Sequence, residues 1–309
     1  MAKSRYARKP RRSYAKSGAK RRSRSGPRRS TTKKRYSKRP MTKRRILNVT
    51  SRKKRDTMLT VSNTSTAGAS VTPAVQPAFV SAATGGVFLW LATARDLSPG
   101  TQPSSSTVVM EASRTATSCY MRGLSEHLRI QTSSGLPWFH RRICFTYKGA
   151  EPLRSTFTGD TGGPQWWTET SSGVARLMFN ISVNQTPNYR NNLNALIFKG
   201  SEGVDWIDPI TAPTDNRRIT VKYDRTWTIQ SGNANGVVKE RKLWHAMNKT
   251  LVYDDDENGA VEDQSPYSAR GKQGMGDYYV LDFIIAGTGG TSSDLMRIDA
   301  TSTLYWHER

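Results

Sequence analysis

The run Asp254-Asp255-Asp256-Glu257-Asn258-Gly259 holds the densest set of potential cation ligands in the chain. A calcium loop of the EF-hand type wants acids or Asn at its first, third and fifth positions and Gly at its sixth. Counted from Asp254, the residues Asp254, Asp256, Asn258 and Gly259 supply all of these. The closing position, normally a bidentate Glu, is Ser265, and no helical pattern flanks the run, so the EF-hand reading fails. Three readings stay open: a solvated acidic turn ending the strand at Tyr253, a looser calcium site between copies of the chain, or a salt-bridging partner for a basic patch on another copy. His127, His140, His245 and His307 show no metal-ligand spacing, and Cys119 and Cys144 stand far apart. Gly271-x-x-Gly274-x-Gly276 lacks the spacing of a phosphate-binding loop and precedes a strand pattern. There is no Walker loop, no GxSxG elbow and no pair of carboxylates at helical spacing. Ser, His and Asp can converge from anywhere in a fold, but nothing in the sequence recommends an enzyme. No catalytic residue, metal site or cofactor is assigned.

The chemistry that the sequence does carry is charge. Residues 1 to 55 contain 25 Lys or Arg and no Asp or Glu, against 48 basic and 24 acidic residues in the whole 309-residue chain. The body from residue 56 to 309 is therefore nearly neutral, and the N-terminal arm holds the positive excess. Such a block has too little apolar surface to offset the entropy of ordering it, and its charges repel, so residues 1 to 55 are expected to be disordered. Meeting a polyanion releases condensed counterions, a gain that scales with the number of phosphates neutralised. The residues read as nucleic-acid-binding are Arg11, Arg12, Lys20, Arg21, Arg22, Arg24, Arg28, Arg29, Lys33, Lys34, Arg35, Lys38, Arg39, Lys43, Arg44, Arg45, Arg52, Lys53, Lys54 and Arg55. Pro10, Gly18, Gly26, Pro27 and Pro40 interrupt helix formation between the clusters. Tyr6, Tyr14 and Tyr36 could stack on unpaired bases. As a flexible coil, about 55 residues reach roughly 40 Å root-mean-square, far enough to range over a large charged object.

Two other uses of a basic run were weighed. Nuclear import fits Lys33 to Arg45 or Arg52 to Arg55, but import needs one or two clusters, not the six found here. Binding to an anionic membrane fits worse: the arm has no amphipathic aromatic face and no Cys to lipidate, and Ala2 follows Met1 where a myristoylation start needs Gly. Nucleic-acid binding, with import receptors as second users of the same residues, is the reading kept. No apolar run reaches 18 residues, so no membrane partner and no secretory signal are expected. Two cysteines make no disulfide framework and suit synthesis in a reducing compartment.

The elements that must hold such an arm in place are strands. Ile219, Val221, Tyr223, Trp227 and Ile229 alternate with polar residues, as do Phe139, Ile143, Phe145 and Tyr147. The same period runs through Ala175 to Val183, Tyr279 to Ile285 and Met296 to Trp306. Shorter strands are predicted at Thr57 to Ser62, Val87 to Thr93, Ser118 to Thr132, Val237 to Met247 and Leu251 to Tyr253, with one short helix near Tyr189 to Ile197. Eight to ten strands joined by Gly-, Ser-, Thr- and Asn-rich loops argue an all-β sandwich over residues 56 to 309. Strand pattern alone does not separate a jelly roll from an immunoglobulin-like sandwich or a closed barrel. Arg141 and Arg142 fall within a strand, with Arg141 on its apolar parity; they are either internal ion pairs or weaker candidates for DNA contact from an inner surface. Trp166, Trp167 and Trp206 lie in loop-like stretches and either seal subunit interfaces or cap the local core.

Several stretches are more specific. Arg122-Gly-Leu-Ser-Glu-His-Leu-Arg-Ile130, Trp138-Phe-His-Arg-Arg-Ile-Cys-Phe145 and Lys222-Tyr-Asp-Arg-Thr-Trp227 resemble the coat proteins of genomoviruses. So, more distinctively, do Trp244 through Glu257 and Gly274-Met-Gly-Asp-Tyr-Tyr-Val-Leu-Asp282. Genomoviruses are small circular single-stranded DNA viruses related to geminiviruses. The resemblance implies a single jelly-roll subunit, a homo-oligomer of about sixty copies forming a T=1 icosahedral shell, a packaged single-stranded DNA genome, and residence in the virion and the host nucleus. At about sixty copies the arms would neutralise on the order of 1,500 phosphates, which suits a genome of about one to a few thousand nucleotides. The preference for DNA over RNA rests on the resemblance alone. A cellular chromatin- or RNA-binding β-sandwich module with a basic tail is the alternative, and a nucleic-acid enzyme a weaker third.

Overall fold

Long alternating runs become long strands, and the nesting of their pairs defines the architecture. The computed structural model describes residues 41–98 and 107–309. In chain order it contains α1 (Lys43–Thr50), β1 (Arg52–Met58), β2 (Thr60–Thr64), β3 (Ser70–Val75), β4 (Ala78–Ser81), β5 (Gly86–Leu91), β6 (Ser118–Thr132) and β7 (Trp138–Tyr147). These are followed by β8 (Glu169–Thr170), β9 (Gly173–Val174), β10 (Arg176–Met178), a 3-10 turn at Ile181–Val183 and α2 (Pro187–Ile197). The remainder is β11 (Thr220–Ile229), β12 (Val238–Val252), a hairpin of β13 (Asp256–Asn258) and β14 (Val261–Asp263), then β15 (Asp277–Ala286) and β16 (Leu295–Glu308).

Two sheets make the sandwich. The first runs β1-β16-β6-β12, with β4 continuing the β1 edge of β16; the second runs β11-β7-β15-β5. The pairs are antiparallel and nested: β1 with β16, β5 with β15, β6 with β12, and β7 with β11. First pairs with last, and each inner strand with its mirror in sequence. That is the winding of a jelly roll. A smaller sheet, β10-β2-β3, flanks it.

The two sheets differ in what covers their outer faces. β5, β7 and β15 are buried on both parities. The long excursion between β7 and β11 lies over them: Leu153, Tyr189, Leu193, Ile197, Phe198 and Trp206 join the core, and the Phe198 ring sits 5.5 Å from that of Phe283. β16 instead keeps strict alternation, one side buried and the other accessible, and β6 does so with one change of parity at Gly123–Leu124. Among the described residues, nothing covers the outer face of the first sheet, the bare face of the sandwich.

An ionic layer divides the core between the sheets. Glu126 of β6 meets Arg142 of β7, whose Nε and Nη2 donate to Asp282 of β15 at 2.7 and 2.8 Å. Arg176 of β10 donates to Glu126 at 3.0 Å and to Asp282 at 3.2 Å, and lies 4.3 Å from the Trp90 ring centroid. Ser302 of β16 donates to Glu126 at 3.0 Å. All four charged side chains are essentially inaccessible. Burial works against ionising Glu126 and Asp282, yet the guanidiniums hold both carboxyls below their ordinary range, Asp282 well below it. Apolar clusters fill the sandwich on either side: Leu128, Ile130, Trp138 and Ile284 on one, Leu124, Cys144, Val280 and Leu304 on the other.

Three expectations change in detail. Residues Arg44 to Arg309 form one compact unit and β1 starts at Arg52, so the expected domain boundary at residue 55 falls inside a strand. The 175–183 run is strand only over Arg176–Met178; the Asn180 side chain then accepts from Val87 N and Ser182 N and turns the backbone aside. Trp206 is buried against Phe198, and Trp166 and Trp167 both donate to the Tyr267 hydroxyl at 3.1 Å, so all three cap the local core.

Candidate nucleic-acid interface

Of the arm residues read as binding nucleic acid, Arg11 through Arg39 lie outside the described residues. Lys43, Arg44 and Arg45 belong to α1, a single short helix leading into β1. Arg52, Lys53, Lys54 and Arg55 are strand, paired with Glu308, His307, Trp306 and Tyr305 of β16. Strand alternation splits this cluster. Lys53 and Arg55 point to the bare face, whereas Lys54 points inward and is 4% exposed. Its Nζ donates to the Ser113 carbonyl at 2.7 Å and to Thr115 Oγ1 at 2.9 Å, and pairs with Glu308 at 3.1 Å. Lys54 therefore leaves the set of nucleic-acid residues: its charge is spent on anchoring the first strand.

Arg141 and Arg142 are internal. Arg142 belongs to the ionic layer and is 1% exposed. Arg141 points to the covered face of the second sheet, where it forks onto Asp224 at 2.9 and 2.7 Å and donates to the carbonyls of Pro209 and Ala212 at 2.7 Å. Neither side chain is accessible to a phosphate, and of the two readings of these residues the ion-pair one describes them.

The bare face offers a different set. Across it run two neighbouring rows set by the strand register. One is Lys53, His307, Tyr120 and Thr250; the other is Arg55, Tyr305, Gly123 and Ala246. Gly123 is required there. A Cβ at this position would lie 2.7 Å from the Trp244 indole and 2.6 Å from the His245 carbonyl, and φ is +156°. The indole of Trp244 thus rests on glycine, 5.8 Å from the Tyr305 ring, and stays 52% exposed. In the adjacent row the Tyr120 and His307 rings are 6.1 Å apart. Backbone irregularities after Tyr305 and Ala246 re-aim this end of the face, and Asn248 at the second accepts from Arg122 at 2.6 Å.

Charge is unevenly compensated along the same face. At one end Arg129 and Arg297 both pair with Asp299 at 3.0 Å, and His127 lies 3.3 Å from Glu240. At the aromatic end, none of Lys53, Arg55 or Arg122 has an ion-pair partner among the described residues. These cations also sense one another. Burial together with Arg122 and Lys53 lowers the His307 pKa. Such a cluster of uncompensated positive charge is a ready contact for a polyanion. The sequence signal for it is split, since Tyr120 and Arg122 are accessible on one parity of β6 and His127 and Arg129 on the other, with the change at Gly123–Leu124.

The acidic run folds as part of an exposed hairpin, with Gly259 at φ +65° in its turn. One of its acids is committed: Asp255 accepts both terminal nitrogens of Arg114, at 2.5 and 2.9 Å. Among the described residues no three His, Cys, Asp or Glu side chains gather as a metal site, and no helix is long and apolar enough to cross a membrane. Cys119 and Cys144 are buried free thiols, and burial raises the pKa of both. No family model matches the chain, and no curated protein matches it.

Proposed function

We propose that the chain is the coat subunit of a small icosahedral virus, which self-assembles and packages single-stranded DNA through its basic arm. The observation that carries this reading is the segregation of charge: 25 basic and no acidic residues in the first 55, ahead of a nearly neutral jelly roll. A polymer of phosphates is the partner that such an arm fits, and many arms on one polymer concentrate the bodies that must assemble. The jelly roll serves viral shells, lectins and cupins alike, so the fold alone does not choose among them. The bare, uncompensated end of the first sheet supports the coat reading, because it offers a second polyanion contact next to the strand that follows the arm. Resemblance to genomovirus coat proteins supplies the finer reading of about sixty copies in a T=1 shell, a circular DNA cargo, recognition of the arm by nuclear import receptors, and a life divided between the virion and the host nucleus.

The test is to purify the full-length protein from an expression host, treat it with nuclease, and then extract what was protected. Nucleic acid of one size class, co-sedimenting with the protein and recovered only after the protein is denatured, is the expected result. Protein that stays a monomer or small oligomer, with all bound nucleic acid digested, would favour the cellular binding module instead.

A further inference from the structure

Uncompensated cations explain affinity for phosphate. They do not explain why two ring pairs stand exposed among them. Trp244 is 52% and Tyr120 37% exposed, each beside a second ring, in adjacent rows of one sheet face. Same-face rows in a strand are about 7 Å apart, so the two ring pairs stand side by side on one face. The sheet makes room for them, since glycine alone fits beneath the Trp244 indole. The two pairs are bordered by Lys53 and Arg55 on β1 and by Arg122 on β6. Rings flanked by free cations match the chemistry of an unpaired nucleotide, whose base offers a π-face and whose backbone offers a phosphate. A duplex keeps its base faces inside its own stack and can offer only the phosphates.

We infer that the Trp244–Tyr305 and Tyr120–His307 pairs form a stacking site for unpaired bases of a single-stranded polynucleotide, with Lys53, Arg55 and Arg122 holding the flanking phosphates. The inference deepens the packaging reading and rests on it for the biological role. It separates two tasks: the arm gathers polyanion of any kind, and the sheet face selects strands whose bases are free. DNA and RNA share the chemistry that the rings recognise.

The test uses the full-length chain and four oligomers of equal phosphate number: dT and rU single strands, a DNA duplex and inorganic polyphosphate. Trp244→Ala is expected to weaken dT binding by about 5- to 100-fold, the range for loss of one base–aromatic stack. Duplex and polyphosphate affinities and the salt slope should stay unchanged. Trp244→Phe should restore most of the loss, and unchanged melting temperatures should show that both variants are folded. Photo-crosslinking of bromouracil-substituted dT to the wild-type chain should mark the peptides holding Trp244, Tyr120 or Tyr305. A comparable loss with rU would make the cargo choice independent of this site, and loss with dT alone would make the site a DNA reader. Equal dT affinity of Trp244→Ala and wild type, with cross-links confined to the arm, would overturn the inference and leave the packaging reading standing. A Trp244-dependent preference for dT in a chain that never forms particles would do the reverse.

Discussion

Replacing Asp282 by Asn should strike the ionic layer at its most heavily bonded member. Asp282 accepts from Arg142 twice, from Arg176 and from His140 Nε2 at 2.8 Å. Asn preserves the shape and one acceptor but removes the charge, leaving two inaccessible guanidiniums to share Glu126. Breaking a buried pair from one side costs about 3–5 kcal/mol, because the remaining charge is neither solvated nor matched. Domains of this size have roughly 5–15 kcal/mol of stability in all, so the loss is a large share. At about 2–4 °C per kcal/mol, the melting temperature of unassembled Asp282→Asn protein should fall by about 6–20 °C. The sign with pH follows from the depressed Asp282 carboxyl: its contribution is fully present above the ordinary carboxylate pKa and disappears as pH falls below it toward the folded value. The gap between wild type and variant should therefore be full at pH 7 and shrink below about pH 4. Thermal melting followed by near-ultraviolet circular dichroism, at matched protein concentration, reads it. A variant melting within about 2 °C of wild type at pH 7 would refute the assignment of this layer as the tie between the sheets.

Deleting residues 1–40 should leave the melting temperature within about 2 °C of wild type but abolish protected nucleic acid, whereas deleting 1–55 should also destabilise the fold by about 3 kcal/mol or more, since it cuts β1 and strands Glu308 without Lys54; melting and nuclease protection on both deletions check this. Within one cluster, Lys54→Ala should lower stability with no change in the salt dependence of binding. The Lys53→Ala, Arg55→Ala double variant should instead leave stability unchanged within about 0.5 kcal/mol and reduce the slope of log affinity against log salt on single strands by about 1.4. Acid should remove the contribution of neutral His245, because burial and the nearby Arg142 hold it down at about 4 in the folded chain. The unfolded chain binds that proton from about pH 6.5, so this one group's contribution falls between these values by about 3 kcal/mol, and His245→Gln should lose less stability than wild type by urea unfolding between pH 7 and pH 4.5.

The long strands were legible because their alternation runs for many residues: 118–132 and the helix near Tyr189 to Ile197 emerge within a few residues of their observed limits. β3 and β4 were not predicted, being short, and the 175–183 alternation continues in sequence past the point where Asn180 diverts the backbone. Arg52 through Arg55 reads as one more basic cluster in a row of them. Only the inward turn of Lys54 onto Glu308, more than 250 residues away, makes it a strand, and no local pattern reveals so distant a partner. The ionic layer is hidden for the same reason: Glu126, Arg142, Arg176 and Asp282 come from four separate strands, and an internal ion pair at Arg142 is suggested by the sequence without its partners. His140 shows how much the assembled layer decides. Its Nδ1 accepts from Arg241 at 2.6 Å while Nε2–H donates to Asp282, which fixes the neutral ring, and burial lowers its pKa. The accessible residues of the bare face change parity at Gly123–Leu124, so that face, like the absence of carboxylates at one end of it among the described residues, required the register.

The most direct test of the central claim is negative-stain electron microscopy of purified full-length protein at low and high salt. The account predicts uniform small isometric particles at low salt, holding nuclease-protected single-stranded nucleic acid. Monomers or small oligomers under every condition, even with single-stranded DNA added, would contradict it.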